Sequence, residues 1–234
     1  MNRRLIVNAD DFGQSPGVNR GIIRAHRDGI VTSTSLMVRW PAAMEAVALG
    51  RTCPALSIGL HLDLGEWFYR DGDWPAYYQV VTLDDRAAVE AELDRQLAEF
   101  RRLVGHEPSH LDSHQNVHLR EPVRSVVEAC ARQLGVPVRR CDARVQFCGK
   151  FYGQDYDGTP LPGHISVEGL LTTLAELPPG VTELACHPSA ADDLPATMYR
   201  AERQQELRVL CDPHIRQAIE RAGIELCSVQ DAGR

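Results

Sequence analysis

Short apolar runs alternate with longer stretches of helical spacing along the whole chain. The apolar run Leu5-Ile6-Val7 is followed by a turn signal, which predicts a first strand over 5–8. Ser15-Pro16 predicts an N-cap and first helical turn, with Val18, Ile22 and Ile23 on the buried face and a stop near Gly29. Further strands are predicted over 32–38, 57–64, 109–114, 136–140, 182–187 and 224–229. Helices are predicted over 41–50, 84–104, 121–134, 166–177 and 199–222, the last interrupted at Asp212-Pro213. Residues 65–79 form an aromatic-rich loop, and 141–165 are irregular and glycine-rich. Strands alternating with helices predict βα units and a mostly parallel sheet. A TIM-like (β/α) barrel of seven or eight strands is expected rather than an open sheet. Polar groups recur at several strand ends, and a barrel gathers them at one mouth.

Those polar groups follow a period of two. Asn8 and Asp10 share one face of the first strand, and His61 and Asp63 one face of the third. His110, Asp112 and His114 align on the fourth, and Glu183, Ala185 and His187 on a late one. Parallel strands are normally apolar on both faces, so four such coincidences mark a site. Asp10 and Asp11 are adjacent carboxylates at a strand end. They repel each other, and a divalent cation relieves the repulsion. Phe12-Gly13 permits a sharp turn, so one aspartate can ligate an ion while the other stays free beside its water. Each element also has a plainer reading. Asp11 or Ser15 would serve as a helix cap, His61 as a satisfied buried imidazole, and His187 as a loop residue. His118 falls beyond its strand, either supporting the site or facing substrate. His26, His106, His164 and His214 read as surface residues, and Cys186 as packing.

Composition narrows the function. With 234 residues, 44% of them hydrophobic, the chain suits one domain over 1–234. A net charge of -7 argues against nucleic acid. No apolar stretch is long enough to span a membrane, and no apolar leader precedes the first strand. The 7 cysteines, an odd number without CxxC spacing, read as reduced thiols in a cytoplasmic protein. Lys150 is the only lysine, which argues against a lysine nucleophile. Trp67, Phe68, Tyr69, Trp74, Tyr77 and Tyr78 crowd one loop. They suit packing over a barrel end, a lid, or contact with sugar rings.

The stretch from Leu5 to Gly13, reading LIVNADDFG, resembles the opening of the YdjC-like carbohydrate deacetylases (the ChbG and HpnK group). So do DGIVTST at 28–34, Gly59-Leu60-His61, His110-Leu111-Asp112-Ser113-His114 and Cys186-His187-Pro188, in the same order over 5–188. The resemblance implies a distorted (β/α) barrel with one divalent ion, zinc or magnesium, on Asp11, His61 and His114. It implies Asp10 as general base and His187 as general acid, and an N-acetylated carbohydrate as substrate. A homodimer is a further family expectation. Arg139 or Arg140 is expected to orient Asp10, and Trp67, His118 and Arg140 are expected to meet substrate. Many relatives carry further histidines after Asp-Ser-His, where this chain has Gln115 and Asn116. The alternatives are a metal-dependent sugar isomerase or epimerase, with Asp63 and Asp112 as acid and base, and a non-catalytic carbohydrate-binding relative.

Overall fold

The computed structural model describes residues 2–194 and 198–232. The first strand, β1 (Arg3–Phe12), is longer than the apolar run suggested and is buried from Leu5 onward. It is central because both its edges are paired. On one edge it runs parallel to β8 (Gly180–Cys186) over Arg3 to Ala9. On the other it pairs with β9 (Ile224–Leu226) through Arg3 to Leu5, and with β2 (Ser33–Leu36) through Asn8 to Phe12. The sheet continues from β2 to β3 (Ser57–Leu62) and β6 (Leu111–Ser113), and beyond β8 to β7 (Val145–Cys148). All these pairings are parallel, which gives a seven-stranded curled sheet, as expected of a distorted barrel.

Helices supply the crossovers. α1 (Pro16–Arg27) is capped by Ser15, whose hydroxyl accepts from the Val18 N–H. α2 (Ala43–Gly50), α3 (Arg86–Val104), α4 (Val123–Leu134) and α5 (Val167–Ala175) follow their strands in turn. The break expected at Asp212-Pro213 separates α6 (Ala201–Leu210) from α7 (Pro213–Arg221), and Asp212 caps the second. A short α8 (Val229–Ala232) closes the described chain. The core between sheet and helices is apolar, with Phe12, Phe100, Ile22 and Leu60 fully buried.

Two stretches, 136–165 and 65–79, differ most from the sequence expectation. Residues 136–140 are not a strand. Only Val138 bridges Leu111, because the Arg140 backbone turns into the left-handed region (φ 60) and leads the chain away. The strand in this part of the chain is β7, inside the segment expected to be irregular. The aromatic loop contains an antiparallel ribbon, β4 (Gly65–Trp67) with β5 (Ala76–Gln79). The sheet therefore has a seam between Val138 and β7 with no ladder across it among the described residues. Side chains cross it instead, the Arg140 guanidinium lying 5.1 Å from the Phe147 ring centroid.

Candidate metal centre

The two adjacent aspartates separate because β1 bulges between Ala9 and Phe12, and Asp11 takes φ 68. Asp11 turns toward two imidazoles. Its Oδ1 lies 3.0 Å from His114 Nδ1 and 3.3 Å from His61 Nε2. Each of the three residues offers a donor atom within 4.8 Å of the others, and all three are buried. His61 stands on β3, whereas His114 opens a 3-10 turn (His114–Leu119) directly after β6 rather than ending the strand. The Nε2 atoms of both histidines are buried without hydrogen-bond partners. Buried polar nitrogens are rarely left so. A carboxylate, two imidazoles and two unspent nitrogens fit a divalent cation.

Burial alone would push both imidazoles toward the neutral form. Instead Asp112 and Asp11 hold His61 up to about 10, and Asp11 holds His114 above its ordinary value. His61 Nδ1 meets Asp112 Oδ1 at 2.7 Å, the outer carboxylate contact that fixes the tautomer and ring orientation of a metal-binding histidine. Asp112 also accepts from Ser35 Oγ at 2.6 Å.

Asp10 points the other way, into a second cluster with His61 and Asp112. That place is taken by Arg139. Its guanidinium grips Asp10 at 2.6 and 2.7 Å, reaches Asp112 at 2.9 Å and donates through Nε to Glu183 at 2.7 Å. Burial would raise the Asp10 carboxyl, but Arg139 overrides it and holds Asp10 below its ordinary value. Of the two arginines expected to orient Asp10, Arg139 makes the contact. Arg140 is exposed and does not line the cavity at the mouth, so its expected substrate contact is not what the structure shows. Its left-handed backbone turns it onto Phe147 at the seam.

His118 is also displaced from its expected place against substrate. It is fully buried, with Nδ1 at 2.7 Å from Ser113 Oγ and Nε2 at 3.1 Å from the Arg139 carbonyl, and so supports the arginine. Neither carboxylate proposed for an isomerase is free. Asp112 is spent as described, and Asp63 is held by Arg39 at 2.8 Å, Tyr78 OH at 2.8 Å and Trp40 Nε1 at 3.2 Å.

His187 follows β8 directly, with Nε2 3.8 Å from Asp10 Oδ2. It is wedged edge-on against Tyr152 and Tyr199, and burial pushes its pKa down to about 4. Its backbone N–H donates to Glu206, which also accepts from Tyr199 OH. Burial pushes the Glu206 carboxyl up to about 8. Arg203, on α6, donates to Asp11 Oδ2 at 2.7 Å. Sequence reading passed over Arg203 and Glu206, although a signal was present. Both share the buried face of their helix with Leu207 and Leu210, at spacings of three, four and seven, where charge is out of place.

A cavity of about 980 Å³ opens over these residues. Asp10, Asp11, His61, His114 and His187 supply its charged lining, and Trp67, Phe68, Trp74 and Tyr156 its aromatic lining. Trp67 is thus among the residues that line the cavity. His164, read as a surface residue, lies at the rim of the same cavity.

The chain is similar to several known proteins. A chitooligosaccharide deacetylase of Serratia marcescens is 34% identical over 268 residues, covering 99% of this chain and all of that protein. A carbohydrate deacetylase of Geobacillus stearothermophilus is 33% identical over 252 residues, covering 99% and 98%. A solved structure from Enterococcus faecalis, provisionally described as a cellobiose-phosphate cleavage protein, superposes with a TM-score of 0.77 at 29% identity, covering 98% of each chain. A family 4 carbohydrate esterase of Streptomyces lividans shares the fold, with a TM-score of 0.56 at 16% identity, covering 97% and 92%. The family model described as YdjC-like protein matches residues 4–221, and the chain belongs to that family.

Proposed function

We propose that the protein is a metal-dependent hydrolase that removes the acetyl group from an N-acetylated carbohydrate. The observation that carries this reading is the convergence of Asp11, His61 and His114 within 4.8 Å, with Asp10 beside them. The names of the Serratia and Geobacillus relatives, which cover the whole chain, support the substrate class.

A divalent ion, which Asp11, His61 and His114 would hold, would supply Lewis-acid polarisation of the acetyl carbonyl and a more acidic water. Asp10, kept ionised by Arg139, takes the proton from the attacking water at Oδ2. His187 is neutral at rest and stands 3.8 Å from that oxygen, placed to receive the proton at Nε2 and pass it to the departing amine. The aromatic side of the cavity offers ring faces for sugar contact and excludes water. Two imidazoles favour zinc or a similar borderline ion over magnesium, which prefers oxygen donors. All seven cysteines are free thiols, and no helix among the described residues is long and apolar enough to cross a membrane. The thiols support a cytoplasmic enzyme.

Acetate release from N-acetylglucosamine oligomers tests the reading, with zinc, magnesium, manganese or cobalt added back to chelated protein. Asp11→Ala, His61→Ala and His114→Ala are each expected to lose the ion and the activity together, as read by elemental analysis and acetate assay. Undiminished acetate release after complete chelation would overturn it. Ketose formation without acetate would point to the isomerase, and glucose release from a phosphorylated disaccharide to a glycosidase.

A further inference from the structure

We infer that Arg203 sets the denticity and charge of the ion site by keeping Asp11 a one-oxygen ligand; this rests on the metal-dependent reading above. Asp11 has two carboxylate oxygens with different surroundings. Oδ1 faces His61 and His114. Oδ2 is taken by Arg203 Nη2 at 2.7 Å. The arginine is fixed from its own helix, its Nε donating to the Tyr199 carbonyl at 2.9 Å and its guanidinium carbon standing 5.9 Å from the Tyr199 ring centroid. It is 3% exposed, and Asp11 is its only ion-pair partner among the described residues. Its Nη1 has no hydrogen-bond partner there. A buried arginine whose only acidic contact is the far oxygen of a candidate ligand is placed to act on that ligand.

The consequence follows from coordination chemistry. Three one-atom ligands leave a four-coordinate ion one open position, and catalysis needs that position. If Oδ2 swung onto the ion, Asp11 would fill it. Arg203 prevents the swing by occupying Oδ2, and its charge also weakens the hold of the site on a cation. The arginine thus trades ion affinity for an open coordination position. A merely structural arginine would do the opposite, since its loss would loosen Asp11 and weaken binding.

The test uses the full chain, stripped with chelator and titrated with cobalt, reading the dissociation constant and the visible absorption of the bound ion. Circular dichroism checks the fold of each variant. Arg203→Met removes charge and donor, and Arg203→Gln removes the charge but keeps a donor. Both are expected to bind cobalt at least about tenfold more tightly than the parent. Arg203→Met should also change the absorption spectrum, as Oδ2 joins the ion. Arg203→Lys keeps the charge and one contact, and should stay within about threefold of the parent with an unaltered spectrum. Equal or weaker binding in folded Arg203→Met and Arg203→Gln overturns the inference. Should those two fail to fold, Arg203→Lys decides: parental affinity and spectrum support the inference, and a loss beyond about tenfold overturns it. A parent protein that binds no cobalt, zinc, manganese or magnesium would sink the metal-dependent reading itself, a different outcome from either.

Discussion

The two sides of the cavity are built on opposite principles. On the charged side every functional group is tied at least once to a buried partner. Asp10 is clasped by Arg139, Asp11 by Arg203, and His61 by Asp112. On the aromatic side the rings hold mainly each other. Phe68 stacks on Tyr77 at 5.0 Å, and Tyr69 meets Trp74 and Tyr156 edge-on at 5.6 and 6.0 Å. Trp74, Tyr77 and Tyr156 are 42%, 46% and 70% exposed. One tie of the ribbon to the charged side is Gln115, whose amide both accepts from the Trp67 N–H and donates to the Trp67 carbonyl, each at 2.9 Å. The difference teaches that buried charge pairing fixes the groups around the candidate ion site, whereas the exposed ring surface is left adjustable.

That contrast breaks first at Arg139. Arg139→Ala leaves Asp10, Asp112 and Glu183 buried without their counter-ion. It is expected to cost about 3–5 kcal/mol of stability and all measurable activity, read by denaturant unfolding and acetate release. A variant of parental stability would show that the charged side is not held in the way described. Next in size is Asp10→Asn, which keeps the shape and removes the proposed base. Acetate release should fall by roughly 10²–10⁴-fold while elemental analysis finds the ion still bound. Near-parental turnover would remove Asp10 from the proton path.

On the aromatic side, Trp74→Ala should raise KM about tenfold with kcat changed by no more than about twofold, because an exposed ring contributes to binding in ground and transition states alike. A fall in kcat of the charged-side size would erase the distinction between the two sides. The smallest effect is at Glu206. Its carboxyl is raised from 4.5 to about 8 in the folded protein, so the folded state holds a proton that the unfolded chain releases. Stability from this group is complete below about pH 4.5 and declines as pH rises toward 8. Glu206→Gln mimics the protonated acid, so its Tm relative to the parent should improve by several degrees between pH 5 and pH 8. A pH-independent difference would mean that Glu206 is ionised in the fold.

The charged side was also the more legible in the sequence. Alternation along single strands put His61 and Asp112 on inward faces, and adjacency flagged Asp10 and Asp11. Such signals are local, and backbone geometry alone converts them into direction. What escaped was long-range pairing. Nothing near Arg203 announces that it meets Asp11 from 192 positions away, and nothing separates Arg139 from Arg140 except which of them precedes a left-handed turn. His118 looked like a member of the histidine series, but burial beneath Arg139 gave it a different duty. The ribbon over 65–79 was unreadable because its stabilising contacts are ring against ring, and aromatic composition does not specify pairing. Gly59 marks the limit from the other direction. A Cβ there would stand 2.4 Å from the His110 ring, so the absence of a side chain is what lets that imidazole occupy the barrel interior.

The unpaired seam between Val138 and β7 carries an evolutionary consequence. Where other barrels are sealed by peptide groups, here the Arg140 guanidinium meets Phe147 across the seam, while that of Arg139 ties Asp10 on β1 to Asp112 on β6 and Glu183 on β8. A descendant that abandoned catalysis would still be obliged to retain Asp10 as ballast for Arg139. Silent relatives of this lineage should therefore shed their histidines before they shed that aspartate.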